Sequence, residues 1–282
     1  MNKRGLLGVI ALVCGCKEPV RAQPEPVSEG ASVRAATEAD ADAGSSLAPL
    51  SAPSWREERK LADGSEVIVH VPIGATDRRP VVVGVHGAGD RPDWSCSEWH
   101  AVFKGRAFVV CPRGVADARW RGTWVWTSAE QIALRSEAAV ADVVARYGAW
   151  VEPTQTVYAG WSQGATLAPQ VIASRPGRFT HAFLVEIGHT PVDARVAARS
   201  LATGKVERAI ISCSTAPCRR FAKGASPLFA RAGVPTAVND VGDRGHVFDG
   251  PTFQTLGARL PWLFGADARL GLAGGDAGSA VP

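Results

Sequence analysis

A serine enclosed by two glycines is the residue of this sequence with the clearest chemical potential. The segment Gly160-Trp161-Ser162-Gln163-Gly164 follows the β-branched run "TVYA" and precedes a stretch of helical composition. A turn between strand and helix can present a strained serine as a nucleophile, and the N-terminus of the helix favours negative charge. A serine in an ordinary glycine-rich turn is the alternative. The context favours Ser162 as a catalytic nucleophile.

A serine hydroxyl reacts only when a base takes its proton and donors stabilise the oxyanion that forms. The segment His86-Gly87-Ala88-Gly89 follows the apolar run "VVVGV", and its glycines allow backbone N–H groups to face a ligand. We therefore predict the backbone N–H groups of Ala88 and Gln163 as the two donors. A plain strand-to-helix turn is the alternative for the His86-Gly87-Ala88-Gly89 segment.

The base is expected after the serine, close to the last strand. His246 lies in "VGDRGHVFDG", which follows the final β-branched run and precedes the helix-like "PTFQTLGARLPWLF". His189 in "EIGHTP" is the second candidate. His181 begins a β-branched run and is interpreted as structural.

Short β-branched runs alternate with stretches of helical composition over most of the chain. The runs are "EVIVHVP", "VVVGVHG", "AFVVCPRG", "TVYAGWS", "AFLVEIG", "AIISCS" and "TAVNDVG". Such alternation predicts an α/β fold, with a mostly parallel sheet and helices on both faces. The segment "RKLADGSEVIVHVP" predicts a hairpin that turns at Asp63-Gly64 and forms an antiparallel edge. Ser128 with Gln131 predicts a helix start, and that helix closes at Gly148.

The "HGAG" loop, the "GWSQG" box and the late "GH" together resemble the α/β-hydrolase superfamily, from about Trp55 to Phe264. Gln after the serine is similar to the carboxylesterase and phospholipase-like branch. The stretch "HGAGDRPDWSC" is similar to secreted esterases of the polyhydroxybutyrate-depolymerase and feruloyl-esterase kind. The resemblance implies hydrolysis of a small-molecule carboxylic ester without a cofactor.

The same resemblance implies a carboxylate after the next-to-last strand, but "RAIISCS" leads into "TAPCRR", which has none. We favour Glu186 as the acid, since it ends the strand that follows the Ser162 helix. Asp243 is second, and Asp193, Asp240 and Asp249 remain open. A catalytically weak or inactive pseudo-hydrolase that acts as a binding lipoprotein is therefore the alternative function.

Length and charge narrow the classes of protein further. A chain of 282 residues with 46% hydrophobic residues can bury one large core. Its 31 Lys and Arg against 27 Asp and Glu give a formal charge of +4. These charges are spread without basic clusters, which disfavours nucleic-acid binding.

The N-terminus resembles a bacterial lipoprotein signal. The basic "MNKR" is followed by the apolar "GLLGVIALV" and by "VCGC", in which Cys16 after Gly15 fits the lipidated cysteine. We expect a signal over residues 1–16, a disordered tether over 17–54, the domain over 55–265 and a loose tail over 266–282. The protein would be exported and anchored by lipid alone, at the periplasmic face or the cell surface. An ordinary secretory signal cleaved near "VRAQ" is the alternative.

Export favours disulfides among the remaining cysteines, Cys96, Cys111, Cys213 and Cys218. Four cysteines permit three pairings, and proximity in the sequence favours Cys96 with Cys111 and Cys213 with Cys218. The sequence has no Cys-x-x-Cys pair and no histidine at ligand spacing from these cysteines, so no metal site is predicted.

Nine tryptophans are many for this length, and six fall in segments predicted as loops at the carboxyl end of the sheet, where ligands bind in such folds. They favour an aromatic-walled pocket, although ordinary packing under long loops is the alternative. The six are Trp94, Trp99, Trp120, Trp124, Trp126 and Trp161.

Overall fold

The computed structural model describes residues 46–188, 190–270 and 272. Strands and helices alternate along this part of the chain. The strands are β1 Arg56–Lys60, β2 Glu66–His70, β3 Arg79–Val85, β4 Phe108–Pro112, β5 Val115–Ala116, β6 Trp124–Val125, β7 Val151–Trp161, β8 His181–Val185, β9 Arg208–Cys213 and β10 Thr236–Asp240. The α-helices are α1 Pro92–Phe103, α2 Ala129–Tyr147, α3 Gln163–Ser174, α4 Ala194–Thr203, α5 Ala216–Arg231, α6 Gly250–Ala258 and α7 Leu260–Phe264.

Eight strands form one sheet in the order β1-β2-β4-β3-β7-β8-β9-β10. Six of them, β4-β3-β7-β8-β9-β10, are joined by parallel pairing, while β2 pairs antiparallel with both β4 and β1. The predicted hairpin and antiparallel edge are therefore confirmed, and Gly64 takes the left-handed φ of 80° at its turn. The short β5 and β6, which the sequence did not indicate, form a separate antiparallel pair.

Both faces of the sheet are covered, as the near-continuous apolar strands predict. In β3, Val81, Val83 and Val85 pack into one core together with side chains from α2, α3, α4 and α5. Val82 points to the opposite face and packs into the second core with side chains from α1, α6 and α7. The two-residue alternation of a strand thus feeds two helical layers.

Local signals set several helix ends. The Ser128 side chain accepts a hydrogen bond from the Gln131 backbone N–H, so the predicted start of α2 is confirmed. Asp193 accepts from the backbone N–H groups of Arg195 and Val196 and caps α4.

The packed part of the chain extends beyond both predicted domain limits. Leu50, inside the predicted tether, is buried and donates its backbone N–H to the Ala75 carbonyl. Leu270, inside the predicted tail, is buried as well and ends the short 3-10 helix Ala268–Leu270. Within the described residues, no helix combines the length and the apolar character needed to cross a bilayer.

Candidate active site

Ser162 lies between the end of β7 and the first residue of α3. Its backbone φ of 52° and ψ of −109° are unfavourable for a residue with a side chain. The Ser162 backbone N–H donates to the Val185 carbonyl, which fixes this strained turn to β8. The turn has the strand-to-helix geometry that the sequence predicted around Ser162.

The two flanking glycines allow the turn to close. A side chain on Gly160 would meet the backbone of Gly164 and Ala165 at 2.7–2.8 Å, and one on Gly164 would run into the Val85 carbonyl. The buried Tyr158 donates its hydroxyl to the Gly164 carbonyl at 2.7 Å. Strand and helix therefore approach at a distance that only glycine permits.

His246 lies in the loop between β10 and α6, and its Nε2 is 2.8 Å from the Ser162 Oγ. The imidazole also stacks on Trp161, with ring centres 5.4 Å apart and planes 27° from parallel. Hydroxyl and imidazole are thus within hydrogen-bond reach, as proton transfer requires. His189, the second candidate for the base, lies outside the described residues.

Glu186 lies directly after β8, and its Oε2 is 3.4 Å from the His246 Nδ1. The strand register explains this position: Val185 pairs with both Trp161 and Ser212, so the residues that follow these three share one level at the carboxyl edge. Ser162 and Glu186 therefore emerge side by side. Glu186 also has a left-handed φ of 57°.

Hydrogen bonds hold both oxygens of the buried Glu186 carboxylate. Oε1 accepts from the Ser214 backbone N–H and from the Ser214 hydroxyl at 2.9 Å, while Oε2 accepts from the Thr215 hydroxyl at 2.6 Å. Burial alone would raise the pKa of Glu186, but the bonds from His246, Ser214 and Thr215 outweigh it and lower the pKa. The carboxylate is therefore ionised beside the imidazole.

The other candidate acids point elsewhere. Asp243 has a side chain 80% exposed and lies, with Asp240, near Arg219 at 3.6 and 3.7 Å. Asp249 caps α6 and pairs with Arg244 at 2.5 Å, and Asp193 caps α4. Among the five carboxylates considered from sequence, Glu186 is the one at the His246 ring.

The two predicted oxyanion donors belong to segments that flank Ser162. A side chain on Gly87 would lie 3.2 Å from the Ser162 Cβ, so the loop containing Ala88 passes directly beside the serine. Gln163 is the first residue of α3, where a backbone N–H has no acceptor within its own helix. The positive end of the α3 dipole also lies there.

His86 stabilises the loop that carries Ala88. Its Nε2 accepts from the Gly114 N–H at 3.1 Å, so the neutral ring carries its proton on Nδ1, which donates to the Gly87 carbonyl at 2.7 Å. Burial lowers the pKa of His86 to about 4, which keeps the ring neutral. Trp126 stacks on this ring and donates its indole N–H to the His86 carbonyl.

The Gln163 side chain has a second function that the sequence did not reveal. Its amide accepts from the Trp126 N–H and donates to the Trp126 carbonyl, both at 2.9 Å. Trp124, in β6, exchanges two backbone hydrogen bonds with Gly89 and Asp90. The β5–β6 hairpin is therefore bound to both sides of the site.

The predicted tryptophan pocket wall needs correction. Trp94 and Trp99 lie on helix α1 instead of a loop; Trp99 is fully buried in the core, and Trp94 is 58% exposed. Trp161 contacts His246, and Trp120 lies against Gly89. A pattern of buried residues at Cys96, Trp99 and Phe103 could have indicated α1, because their spacing places them on one helical face.

Both disulfides that sequence proximity favoured are present, Cys96–Cys111 and Cys213–Cys218. The first joins α1 to β4, and the second closes the segment between β9 and α5. Within the described part of the chain, no group of three or more potential ligands could hold a metal. Cys16 lies outside the described residues.

The mostly parallel sheet, the serine turn between β7 and α3 and the histidine loop after the last strand define the α/β-hydrolase fold. Solved esterases share it. A carboxylesterase from Mesorhizobium loti is similar with a TM-score of 0.53 at 17% identity, over 72% of this chain and 98% of that one. The esterase PE8 is similar with a TM-score of 0.51 at 18% identity, over 67% and 94%. A thermostable carboxylesterase cloned from a metagenomic library is similar with a TM-score of 0.51 at 14% identity, over 78% and 89%. No protein-family model and no curated protein sequence matches the chain.

Proposed function

We propose that this protein is a serine hydrolase that cleaves carboxylic esters of small molecules. The observation that carries the proposal is the contact series from the Ser162 Oγ to the His246 Nε2 at 2.8 Å, and from the His246 Nδ1 to the Glu186 Oε2 at 3.4 Å. The fold it shares with solved carboxylesterases supports the proposal.

The reaction follows from the positions of these groups. Ser162 Oγ attacks the ester carbonyl while His246 takes the hydroxyl proton, and Glu186 stabilises the imidazolium that results. The N–H groups of Ala88 and Gln163 donate to the oxyanion of the tetrahedral intermediate. His246 then returns the proton to the departing alcohol, and water hydrolyses the acyl-enzyme by the same steps. None of these steps uses a cofactor.

The test compares the purified protein with Ser162→Ala on p-nitrophenyl acetate and butyrate. We expect hydrolysis by the wild type, loss of nearly all of it in the variant, and labelling of the wild type alone by a fluorophosphonate probe. Equal rates for the two proteins would refute the proposal. Absence of labelling in a folded wild type would favour the alternative, a binding protein that kept the fold and lost the chemistry. The missing carboxylate after β9 motivates that alternative, whereas the 3.4 Å contact between Glu186 and His246 supports the hydrolase.

We also propose that the protein is exported and anchored through a lipid on Cys16, with no other membrane contact. Support comes from the order of "MNKR", "GLLGVIALV" and "VCGC", and from two disulfides, which are typical of oxidising compartments. Mass spectrometry of the mature N-terminus should find a diacylglyceryl group on Cys16. An unmodified N-terminus at another residue would indicate free secretion.

A further inference from the structure

The short segment between β9 and α5 is closed into a covalent ring. Cys213 ends β9, Ser214 and Thr215 follow, and α5 brings Cys218 back to Cys213 through the disulfide. We call residues 213–218 the disulfide ring. The Thr215 Oγ1 accepts from the Cys218 N–H at 3.4 Å and so also caps α5. Ser214 and Thr215, which both donate hydrogen bonds to Glu186, are therefore enclosed by a covalent bond.

The disulfide ring supplies three of the hydrogen bonds to Glu186. The Ser214 N–H and hydroxyl face Oε1, and the Thr215 hydroxyl faces Oε2, the oxygen nearest His246. The Ser214 hydroxyl has one proton and also lies 2.7 Å from the Gly245 carbonyl, so it shares that proton between two acceptors. Among the residues of the disulfide ring, only Thr215 donates a hydrogen bond to Oε2.

The disulfide ring also contacts the loop that carries His246. The Arg244 N–H donates to the Ser214 carbonyl, and the Val241 N–H donates to the Cys213 carbonyl, both at 3.0 Å. Arg219, one residue past the ring, donates to the Gly242 carbonyl at 2.8 Å. One small element thus contacts both the acid and the loop of the base.

The size of the disulfide ring indicates what the bond does. A disulfide stabilises a fold mainly by restricting the unfolded chain, and this effect grows with the length of the closed loop. Cys213 and Cys218 are 5 residues apart, whereas Cys96 and Cys111 are 15 apart. The shorter loop gives the smaller global effect, so its main consequence is local.

We propose that Ser214 and Thr215 are positioning residues for Glu186, and that the Cys213–Cys218 disulfide is required to hold them in place for catalysis. This inference rests on the proposed function. It assigns a role to the segment that the sequence marked only as lacking a carboxylate.

The first experiment changes Thr215. In Thr215→Val the hydroxyl is lost at nearly constant volume, and we expect kcat for p-nitrophenyl butyrate to fall about 10- to 100-fold with KM little changed, the effect of losing one hydrogen bond to a charged group. Thr215→Ser retains the hydroxyl and should restore most of kcat. Ser128→Ala removes an equivalent helix cap from α2, far from Glu186 in the chain, and should leave kcat unchanged.

The pH profile separates positioning from general loss of structure. The Thr215 and Ser214 bonds lower the pKa of Glu186, so removing them while burial remains raises that pKa. The acid limb of kcat/KM should therefore move to higher pH in Thr215→Val and in Ser214→Ala. Among residues 46–188, 190–270 and 272, the titratable group that faces Glu186 is His246, and the nearby Arg219 is directed to Asp240 and Asp243.

The second experiment compares the two disulfides in the full-length protein. Cys213→Ala/Cys218→Ala should lower kcat at least tenfold and reduce Tm only slightly. Cys96→Ala/Cys111→Ala should lower Tm more and retain kcat below its melting temperature. Circular dichroism shows whether each variant is folded.

Two results would overturn the inference when Ser162→Ala and Glu186→Gln are inactive. One is wild-type kcat with an unshifted acid limb in folded Thr215→Val. The other is wild-type kcat in the folded Cys213→Ala/Cys218→Ala variant. Full activity in Ser162→Ala would instead refute the proposed function.

Discussion

The Oε2 of Glu186 lies 3.4 Å from the His246 Nδ1, on the side of the imidazole opposite Ser162. The carboxylate comes from β8, the strand next to the one that carries the serine, while the segment after β9 supplies hydroxyl and amide donors that hold it. An acid and its hydrogen-bond donors thus come from adjacent strands. This arrangement makes specific predictions for individual residues.

Glu186→Gln should reduce kcat by about 10³- to 10⁴-fold, because an amide cannot orient and stabilise the imidazolium as a carboxylate does. Whichever way the amide turns, its NH2 group faces a hydrogen-bond donor, either Ser214 and Thr215 or the His246 Nδ1. Steady-state kinetics on p-nitrophenyl butyrate measure the loss. Asp243→Asn, which changes an exposed acid close in sequence to His246, should keep wild-type kcat. The reverse result would assign the acid to Asp243.

Gly164→Ala should destabilise the fold by about 1–3 kcal/mol, because its methyl group would run into the Val85 carbonyl, which is part of a fixed backbone. Chemical denaturation gives the free energy of unfolding. Gly224→Ala is the matched control: it lies within α5 with nothing within 4 Å of the added methyl, so it should stabilise by up to ~1 kcal/mol. Equal effects of the two substitutions would contradict the packing described for the turn.

Gln163→Ala should lower the free energy of unfolding by roughly 1–3 kcal/mol, since the backbone N–H and carbonyl of Trp126 both lose a partner in a half-buried position. KM should rise severalfold as the hairpin loosens, while Ser162 remains reactive because the Gln163 backbone N–H is retained. Gln131→Ala is the control: it removes a solvent-exposed hydrogen bond from the Thr127 N–H to the Gln131 side chain. It should change neither the free energy of unfolding nor KM. An unaltered KM in Gln163→Ala would show that the hairpin is held by other contacts.

Glu98→Gln should stabilise the protein at alkaline pH. Burial, with the charges of Asp90 and Asp249, raises the pKa of Glu98 from 4.5 to about 8. The folded state therefore binds more protons than the unfolded state between these values, and stability falls as pH rises through this window. Above pH 8 the Glu98 carboxylate is ionised in the folded state, and the cost of burying this charge lowers the free energy of unfolding. The neutral variant should therefore be more stable by at least ~1 kcal/mol.

Denaturation at pH 5 and at pH 9 measures this difference. The difference in free energy of unfolding between the wild type and Glu98→Gln should be small at pH 5 and large at pH 9. Glu58→Gln, on an exposed side chain of β1, is the control and should show little pH-dependent gap. A constant gap for Glu98→Gln would mean that Glu98 does not titrate differently in the folded protein.

Much of the fold could be predicted from local sequence. The seven β-branched runs are strands of the main sheet, since short apolar runs of this kind are typical of strands buried in a parallel sheet, although the edge strand β10 is only partly buried. Ser128 and Asp193 cap helices as their residue types predict. By contrast, the prediction that Trp94 and Trp99 lie in a loop is wrong: Trp, Ser, Cys and His have modest helix propensity, but packing of Trp99 and Phe103 in the core overrides that preference and stabilises α1.

The sequence by itself determined the serine turn, because two glycines, a β-branched strand and a helix-forming segment are all local requirements. It also indicated His246 by its place after the last strand. It favoured Glu186 as the acid, with Asp243 second, and left Asp193, Asp240 and Asp249 open. Only the tertiary structure placed Glu186 at the imidazole, because the register that aligns Trp161, Val185 and Ser212 depends on pairing between distant strands, which no local pattern encodes.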